Sequence, residues 1–516
     1  MNKKVLALLI CGFGAMFFAS FKTFNVVQEP WKAPIEADTI KSPFTFSPEV
    51  IREGEKLFTA YCVSCHGKTG LGDGSPGKFK IEPANFHSKR VVDQTDGALF
   101  WKLSNGRGIS MPSYKAVFSE EKRWQLIAYI RQFAKQPVAA PTSSTSVIIK
   151  DVTNYKFDAG TPGNYFPLPS KVANVTRSET QTFMVDTVVK GLTRPWSMAF
   201  LPGNRVLIAQ RDGKLMQVKG GQLQSAPIGG NVPKGLRDIK LHPDFSANKL
   251  IYLSYYIDPV RPEPGYSVLM RARLEGDKLV DEKILYKAGP FRGNGEWYGS
   301  KIALDKQGYL YFTVPIKADR KTAQDLSLPD GKTMRFKDDG SIPADNPFLK
   351  TPNALPEIYT FGHRVHEGLA VDAKSGKIYS TEFGELGGDE INMIKRGANY
   401  GWPVVSHSLE YNGAVISKSP IQEGIEAPLH HFAIAPSDIE FLYSTRYPRW
   451  NGNIFTGALA AKMLQRSVVK NNGVIHDERL LENIGRVRDV KVGPDKFLYV
   501  MTEDSGIIVR LIPVKR

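Results

Sequence analysis

The sequence predicts a multidomain chain: a small all-α domain followed by an all-β propeller of six blades. Within residues 45–135, apolar side chains recur at helical spacing around the motif Cys62-Val63-Ser64-Cys65-His66. Residues 136–181 open on a run dominated by Pro, Ala, Ser and Thr and lose that period, as an extended linker does. From 182 to 516, an apolar strand, a Pro/Asp/Gly turn and a second apolar strand recur as a unit. A chain of 516 residues is long enough for two or three cores, and 42% apolar with 23% charged residues is ordinary for folded protein.

Residues 1–24 read as a signal peptide. Lys3 and Lys4 precede an apolar run from Val5 to Ala19, the order of a secretory signal. The run is short of the roughly 20 apolar residues that a membrane span needs. Cleavage is expected near Ala19–Phe21, with an uncleaved membrane anchor as the alternative. Lipidation of Cys11 is disfavoured, because Ile10 stands where a small residue is wanted. The protein is therefore expected to be exported to the periplasm or an equivalent space. The formal charge of +16 would point to nucleic acid in a cytoplasmic protein. After export it suits solubility, acidic redox partners or an anionic membrane surface, and no nucleic-acid partner is expected.

The motif at 62–66 carries specific chemistry. Two thiols one helical turn apart can add to the two vinyl groups of one haem, and the adjacent imidazole then faces the iron. Cys62 and Cys65 are the expected covalent attachments and His66 the expected iron ligand. Ser47-Pro48-Glu49 has the composition of a helix start, with the helix running through Val50–Tyr61 into the motif. Gly70–Gly74 is a loop able to wrap a haem edge. Met111, in a loop before Pro112, is the expected sixth ligand, with His87 as the alternative. A thioether ligand raises the potential and suits electron transfer. A closing helix is expected over Glu120–Phe133, with Trp124, Ile127, Ala128 and Ile130 on its apolar face. This stretch resembles class I cytochrome c, and one covalent haem c is expected. Of the three cysteines, only the haem pair remains after signal removal, so no disulfide is expected.

The recurring unit of the second domain pairs Trp196–Leu201 with Val206–Ile208, Ile239–Phe245 with Leu250–Tyr255, and Lys301–Leu304 with Tyr309–Thr313. It returns as Leu369–Asp372 with Lys377–Thr381, Ile439–Leu442 with Asn453–Thr456, and Val490–Val492 with Phe497–Met501. Six copies with few helices argue for a closed ring of sheets over a tandem of sandwiches.

The residues Gly191-Leu192-Thr193-Arg194-Pro195-Trp196, Leu241-His242-Pro243-Asp244-Phe245, Gly388-Asp389-Glu390-Ile391-Asn392 and Gly397-Ala398-Asn399-Tyr400-Gly401-Trp402-Pro403 carry a resemblance to glucose/sorbosone dehydrogenase propellers. Arg486-Val487-Arg488-Asp489 extends it. The resemblance implies binding of pyrroloquinoline quinone (PQQ) and calcium, and oxidation of a sugar. It implies Arg364, Arg486 and Arg488 as the arginines at the quinone, whose carboxylates a guanidinium fork fits. It also implies Gly384 and Glu385 as backbone calcium ligands, and Glu390 and Tyr400 at a second, structural calcium.

The chain departs from the family at four positions. Trp297 stands where the family has its catalytic histidine, and an indole accepts no proton. Pro233, Val365 and Ala460 replace a glutamine, an asparagine and a lysine of the cofactor site. Glu296 and His366 are the replacement candidates for the base. Two readings follow. In the first, a quinohaemoprotein sugar or alcohol dehydrogenase passes electrons from PQQ through haem to a redox partner protein or respiratory-chain component. In the second, an inactive or repurposed propeller binds a glycan or a protein, and the haem is the sole redox centre.

Overall fold

The computed structural model describes residues 31–67, 69–72, 83–107, 111–115, 117–135, 146–158, 165–258, 260, 263–291, 299–316, 319–411, 414–417, 422–470 and 473–516. The expected signal at 1–24, the opening of the linker, Glu296 and Trp297 lie outside the described residues.

The all-α domain is built from helices α1 (Pro48–Tyr61), α2 (Val63–His66), α3 (Lys89–Val92), α4 (Asp96–Asn105) and α5 (Glu120–Phe133). The start of α1 is as its sequence dictates: the Ser47 side chain accepts from the Val50 N–H, and Pro48 occupies the first turn. Ser119 caps α5 in the same way, accepting from Lys122. Helix α5 buries Trp124, Ile127, Ala128, Ile130 and Phe133, and its Trp124, Ile127, Ile130 and Phe133 share a core with Phe58, Leu99 and Phe100. Helices α1 and α5 pack closely, because Gly54 lies where a Cβ would stand 2.0 Å from the Gln125 carbonyl oxygen. Among the described residues, no helix is long and apolar enough to cross a membrane.

The rest of the chain is a mostly-β propeller. Among the described residues, five four-stranded antiparallel sheets follow one another along the sequence, where six were expected. Their first strands are Pro195–Leu201, Leu236–Leu241, Ile302–Leu304, His366–Val371 and Pro436–Phe441. The remaining strands form one seven-stranded sheet, in which Val487–Val492, Leu498–Thr502 and Ile508–Lys515 pair onward to Thr182–Val189. The last strand thus closes on the first strand of the domain through backbone hydrogen bonds. Each of the six strand pairs read from sequence forms antiparallel. The first strands touch in succession, and Val487–Val492 touches Pro195–Leu201, so the contacts run round a ring.

The end of the linker belongs to this domain. Val147–Ile149 and Val175–Arg177 extend the seven-stranded sheet, and Lys156–Phe157 pairs with Lys515 and Val514. Tyr165 and Phe166 are buried in the same core.

The first strands carry buried charge toward the ring's centre. Lys301 lies 3.4 Å from Asp438 and 4.0 Å from Asp238, all three fully buried. Asp238 also accepts from the Ile302 N–H, and Asp489 accepts from the Met198 N–H. Such carboxylates bolt one sheet to the next where backbone donors would otherwise be unpaired.

Candidate functional site

The haem motif sits where α1 gives way to α2. The His66 Nδ1 lies 3.0 Å from the Ala84 carbonyl oxygen, which can only accept. Nδ1 therefore carries the proton, and the Nε2 lone pair is left for a metal, the arrangement that orients a ligating imidazole. The ring stacks on Phe86 at 4.4 Å. Cys62 is buried and Cys65 half-buried. Burial, then the neighbouring Cys65, pushes the Cys62 thiol far up. Met111 is half-buried against the domain core. Its loop is held tightly: the Arg107 N–H donates to the Met111 carbonyl at 2.7 Å, and Gly106, at φ 66°, lies where a Cβ would stand 2.6 Å from that oxygen. The His87 Nε2 is engaged by the Thr69 carbonyl at 2.7 Å.

On the propeller, Arg364 precedes the strand His366–Val371 and lines a closed cleft of about 20 Å³ with Gly384, Glu390, Tyr400, Trp402 and Ser408. Its Nη1 donates to the carbonyls of Phe383 (3.1 Å) and Gly384 (2.9 Å), and its guanidinium lies over the Trp402 ring at 5.3 Å. The Glu385 carboxylate is 3.8 Å from Arg364 and 3.4 Å from Arg320. The Arg364 Nε is buried and has no hydrogen-bond partner among the described residues. Val365, at one of the four departures, packs with Ile316, Ala323 and Trp402.

Beneath the cleft runs a buried polar chain. Glu382 meets the His363 Nδ1 at 2.7 Å, accepts from Asn392 at 2.9 Å, and lies 3.8 Å from the His366 Nε2. Asn392 also donates to Glu390 at 2.9 Å, while its own buried Oδ1 has no hydrogen-bond partner among the described residues. Burial would raise Glu382, but the two histidines outweigh it and hold its carboxyl at about 2. Burial, with the Glu382 charge behind it, pushes Glu390 up to about 8. His366 is fully buried and lines neither cavity described here; burial and His363 bring its imidazole down to about 3, so it is neutral. Tyr400 spans its own turn, its hydroxyl donating to the Met393 carbonyl and accepting from the Lys395 N–H.

Arg486 and Arg488 stand elsewhere. Arg486 lines a cavity of about 350 Å³ with Thr193, Arg194, Glu503 and Asp504. Arg488 is buried, pairs with Glu367 at 2.9 Å and Glu503 at 2.5 Å, and stacks on Trp196 at 3.8 Å. Arg237 approaches the same Trp196 at 5.0 Å, and burial beside Arg211 lowers its guanidinium to about 10. The three arginines are thus divided: Arg486 and Arg488 meet at Glu503, and Arg364 faces a different cavity.

Sequence reading missed Glu367 and Glu503, which compensate Arg488. A carboxylate such as Glu367 inside an apolar strand signals a buried cation partner. It also missed His407 and His431, whose rings stack at 4.6 Å.

The donors test what could be held. The cleft has room for one water or small ion. The carboxyl groups of Glu382 and Glu390 on its lining are hard oxygen donors, which fit a cation of that kind, while the Gly384 carbonyl already accepts from Arg364. The larger cavity is of the size that small organic ligands occupy, with two arginines on its wall.

A Glucose / Sorbosone dehydrogenase family model matches residues 192–510, and a model described as Cytochrome C oxidase, cbb3-type, subunit III matches 49–130. The chain is similar to the aldose sugar dehydrogenase YliI of Escherichia coli, 36% identical over 348 residues, covering 64% of this chain and 93% of that protein. The crystal structure of the E. coli soluble aldose sugar dehydrogenase in its apo form aligns with a TM-score of 0.61 at 34% identity, over 64% of this chain and 99% of that one. A PQQ-bound aldose sugar dehydrogenase from Streptomyces coelicolor aligns with a TM-score of 0.52 at 25% identity, over 64% and 98%.

Proposed function

Because the chain belongs to the glucose/sorbosone dehydrogenase family, with a cytochrome c domain fused ahead of an oxidoreductase propeller, we propose that it is an exported quinohaemoprotein that oxidises a sugar and passes the electrons to haem. The observation that carries this reading is the contact between the two domains: α2, the haem-motif helix, packs against the strand His430–Phe432, in the sheet that also carries Glu390. We count the seven-stranded sheet as the sixth blade, since its strand Val487–Val492 continues the ring of first strands.

The chemistry supplied there is two-electron oxidation by PQQ and one-electron carriage by haem c. The chain's own residues hold and orient. Arg486 and Arg194 offer guanidinium forks to carboxylates at the larger cavity. Glu390, Asn392 and the backbone at Gly384–Glu385 offer oxygens to calcium. His66, aimed by Ala84, and Met111 hold the iron. Glu296 is the proposed proton acceptor from the sugar hydroxyl. His366 is the second candidate, its neutral imidazole being able to accept, although it lies beneath the cleft wall. The electrons leave to an acidic redox protein or a respiratory-chain component, matched by the net charge of +16. The charge-then-apolar order of residues 1–24 supports a periplasmic location, with membrane association if that segment is retained.

A second reading, a propeller that binds a glycan or protein without a cofactor, is favoured by one set of observations. Trp297, Pro233, Val365 and Ala460 replace polar cofactor residues, and Arg364 and Arg488 already face carboxylates. Calorimetry separates the two. The first reading expects PQQ with calcium to bind one to one, and Arg486→Ala to weaken that binding by at least about tenfold, as loss of a charged hydrogen bond does. Absence of any binding heat would support the second.

A further inference from the structure

The last turn of α1, which leads into the haem motif, meets the propeller through a pair of histidines outside both candidate cofactor sites. In the strand His430–Phe432, alternate side chains point to opposite faces. His430 and Phe432 are buried, and the His430 Nε2 lies 2.7 Å from Asp477, which anchors that face. His431 points the other way. Its ring lies parallel to His407, centroids 4.6 Å apart and planes 10° from parallel, and its Nε2 is 2.9 Å from the carbonyl oxygen of Thr59. A carbonyl only accepts, so the His431 Nε2 donates.

Thr59 lies in the last turn of α1, three residues before Cys62. The carbonyls of a last helical turn lack intrahelical donors. The Thr59 carbonyl takes its donor from the propeller. On the other side, His407 is joined directly to Ser408, which lines the Arg364 cleft. The His407–Ser408 peptide lies so close to Gly388 that a Cβ there would stand 2.4 Å from both the His407 carbonyl carbon and the Ser408 nitrogen. Gly388, at φ 62°, is left-handed, and only glycine permits this approach cheaply. Glu390 is the cross-strand partner of His431. One continuous set of contacts therefore runs from the cleft wall through His407 and His431 to the end of α1, three residues before Cys62.

We propose that His431, stacked on His407, is a latch that fixes the end of α1, where the chain enters the haem motif, on the cleft side of the propeller and so sets the separation between the two cofactor sites. His431 is a positioning residue: it touches neither substrate nor cofactor. The latch is a contact between residues of this chain and stands by itself. Its consequence for electron delivery rests on the sugar-oxidising reading above.

The test uses the full-length haem-loaded protein carrying Ile475→Cys, an exposed position on the strand Gly473–Leu480, labelled with a nitroxide. Pulsed dipolar spectroscopy then reads the distance from the label to the ferric haem, with no need of PQQ or sugar. The latch predicts one narrow distance in the parent, a broad or lengthened distribution in His431→Ala and in His407→Ala, and recovery of the narrow distance in His431→Gln, which restores a donor. An unchanged distribution in both alanine variants, with haem content and melting temperature retained, overturns the latch. If His431→Ala does not fold, His407→Ala alone decides.

A second readout separates the latch from the functional reading. In protein given PQQ, calcium and an aldose, His431→Ala is expected to slow haem reduction at least tenfold while leaving sugar-driven reduction of a soluble dye unchanged. Parent protein that reduces neither haem nor dye defeats the functional reading, and the distance measurement still decides the latch.

Discussion

Arg488 joins two carboxylates, Glu367 and Glu503, in a place with almost no solvent. Breaking a buried pair by removing one partner leaves the others as uncompensated charge, at a cost of about 3–5 kcal/mol. Arg488→Ala is therefore expected to lower the propeller's unfolding free energy by that amount, measured by urea denaturation, whereas Arg486→Ala, at a partly exposed residue, leaves stability nearly unchanged. Glu367 adds a pH dependence. Burial raises its carboxyl to about 7, against the opposing pull of Arg488. A folded-state value above the unfolded one means that the folded protein holds a proton which the unfolded chain has released. Stability is thus full below the ordinary carboxylate range and falls as pH rises through about 7. Asp489, also raised to about 7 by burial, acts in the same direction. The unfolding free energy measured from pH 5 to 8 should decline, by at most about 1.4 kcal/mol per pH unit for each proton, and level off above about 7. Glu367→Gln should flatten that slope.

Among the helices and strands, most of what positions the haem was legible. Ser47-Pro48-Glu49 and the periodicity of Glu120–Phe133 each mark a local decision, made by capping and by one apolar face. The Cys-x-x-Cys-His motif is equally local. The propeller site was less legible, because its parts come from different blades. The family resemblance named Arg364, Arg486 and Arg488 as one group, yet Arg364 and Arg486 line different cavities and the buried Arg488 lines neither. Nothing in the residues around Arg488 names Glu367 or Glu503, which reach it only after the strands have met. His431 and Thr59 are 372 positions apart and could be paired only by docking of the domains. Two changes test the elements directly. Gly54→Val would drive side-chain atoms into the Gln125 carbonyl, and overpacking of this kind costs roughly 1–3 kcal/mol or more; the haem domain's melting temperature should drop, and that of the propeller should not. Met111→Ala should leave the haem covalently attached but lower its potential, as loss of a thioether ligand does, read by redox titration.

At the scale of the whole molecule, the chain joins two modules whose chemistries complement each other. The propeller is closed by hydrogen bonds between Ile508–Lys515 and Thr182–Val189, so its two ends are the place where it opens. Deletion of residues 508–516 removes the strand that joins the ends, and the expected outcome is a chain that retains covalent haem but shows no cooperative propeller transition in calorimetry. The central claim, that the propeller feeds electrons to the haem, is tested most directly by absorbance. Oxidised full-length holoprotein is supplied with PQQ and calcium, an aldose is added, and the reduced haem band is followed in time. The account predicts that the band grows only when sugar, PQQ and calcium are all present. A haem that stays oxidised under those conditions, yet is reduced at once by dithionite, would contradict it.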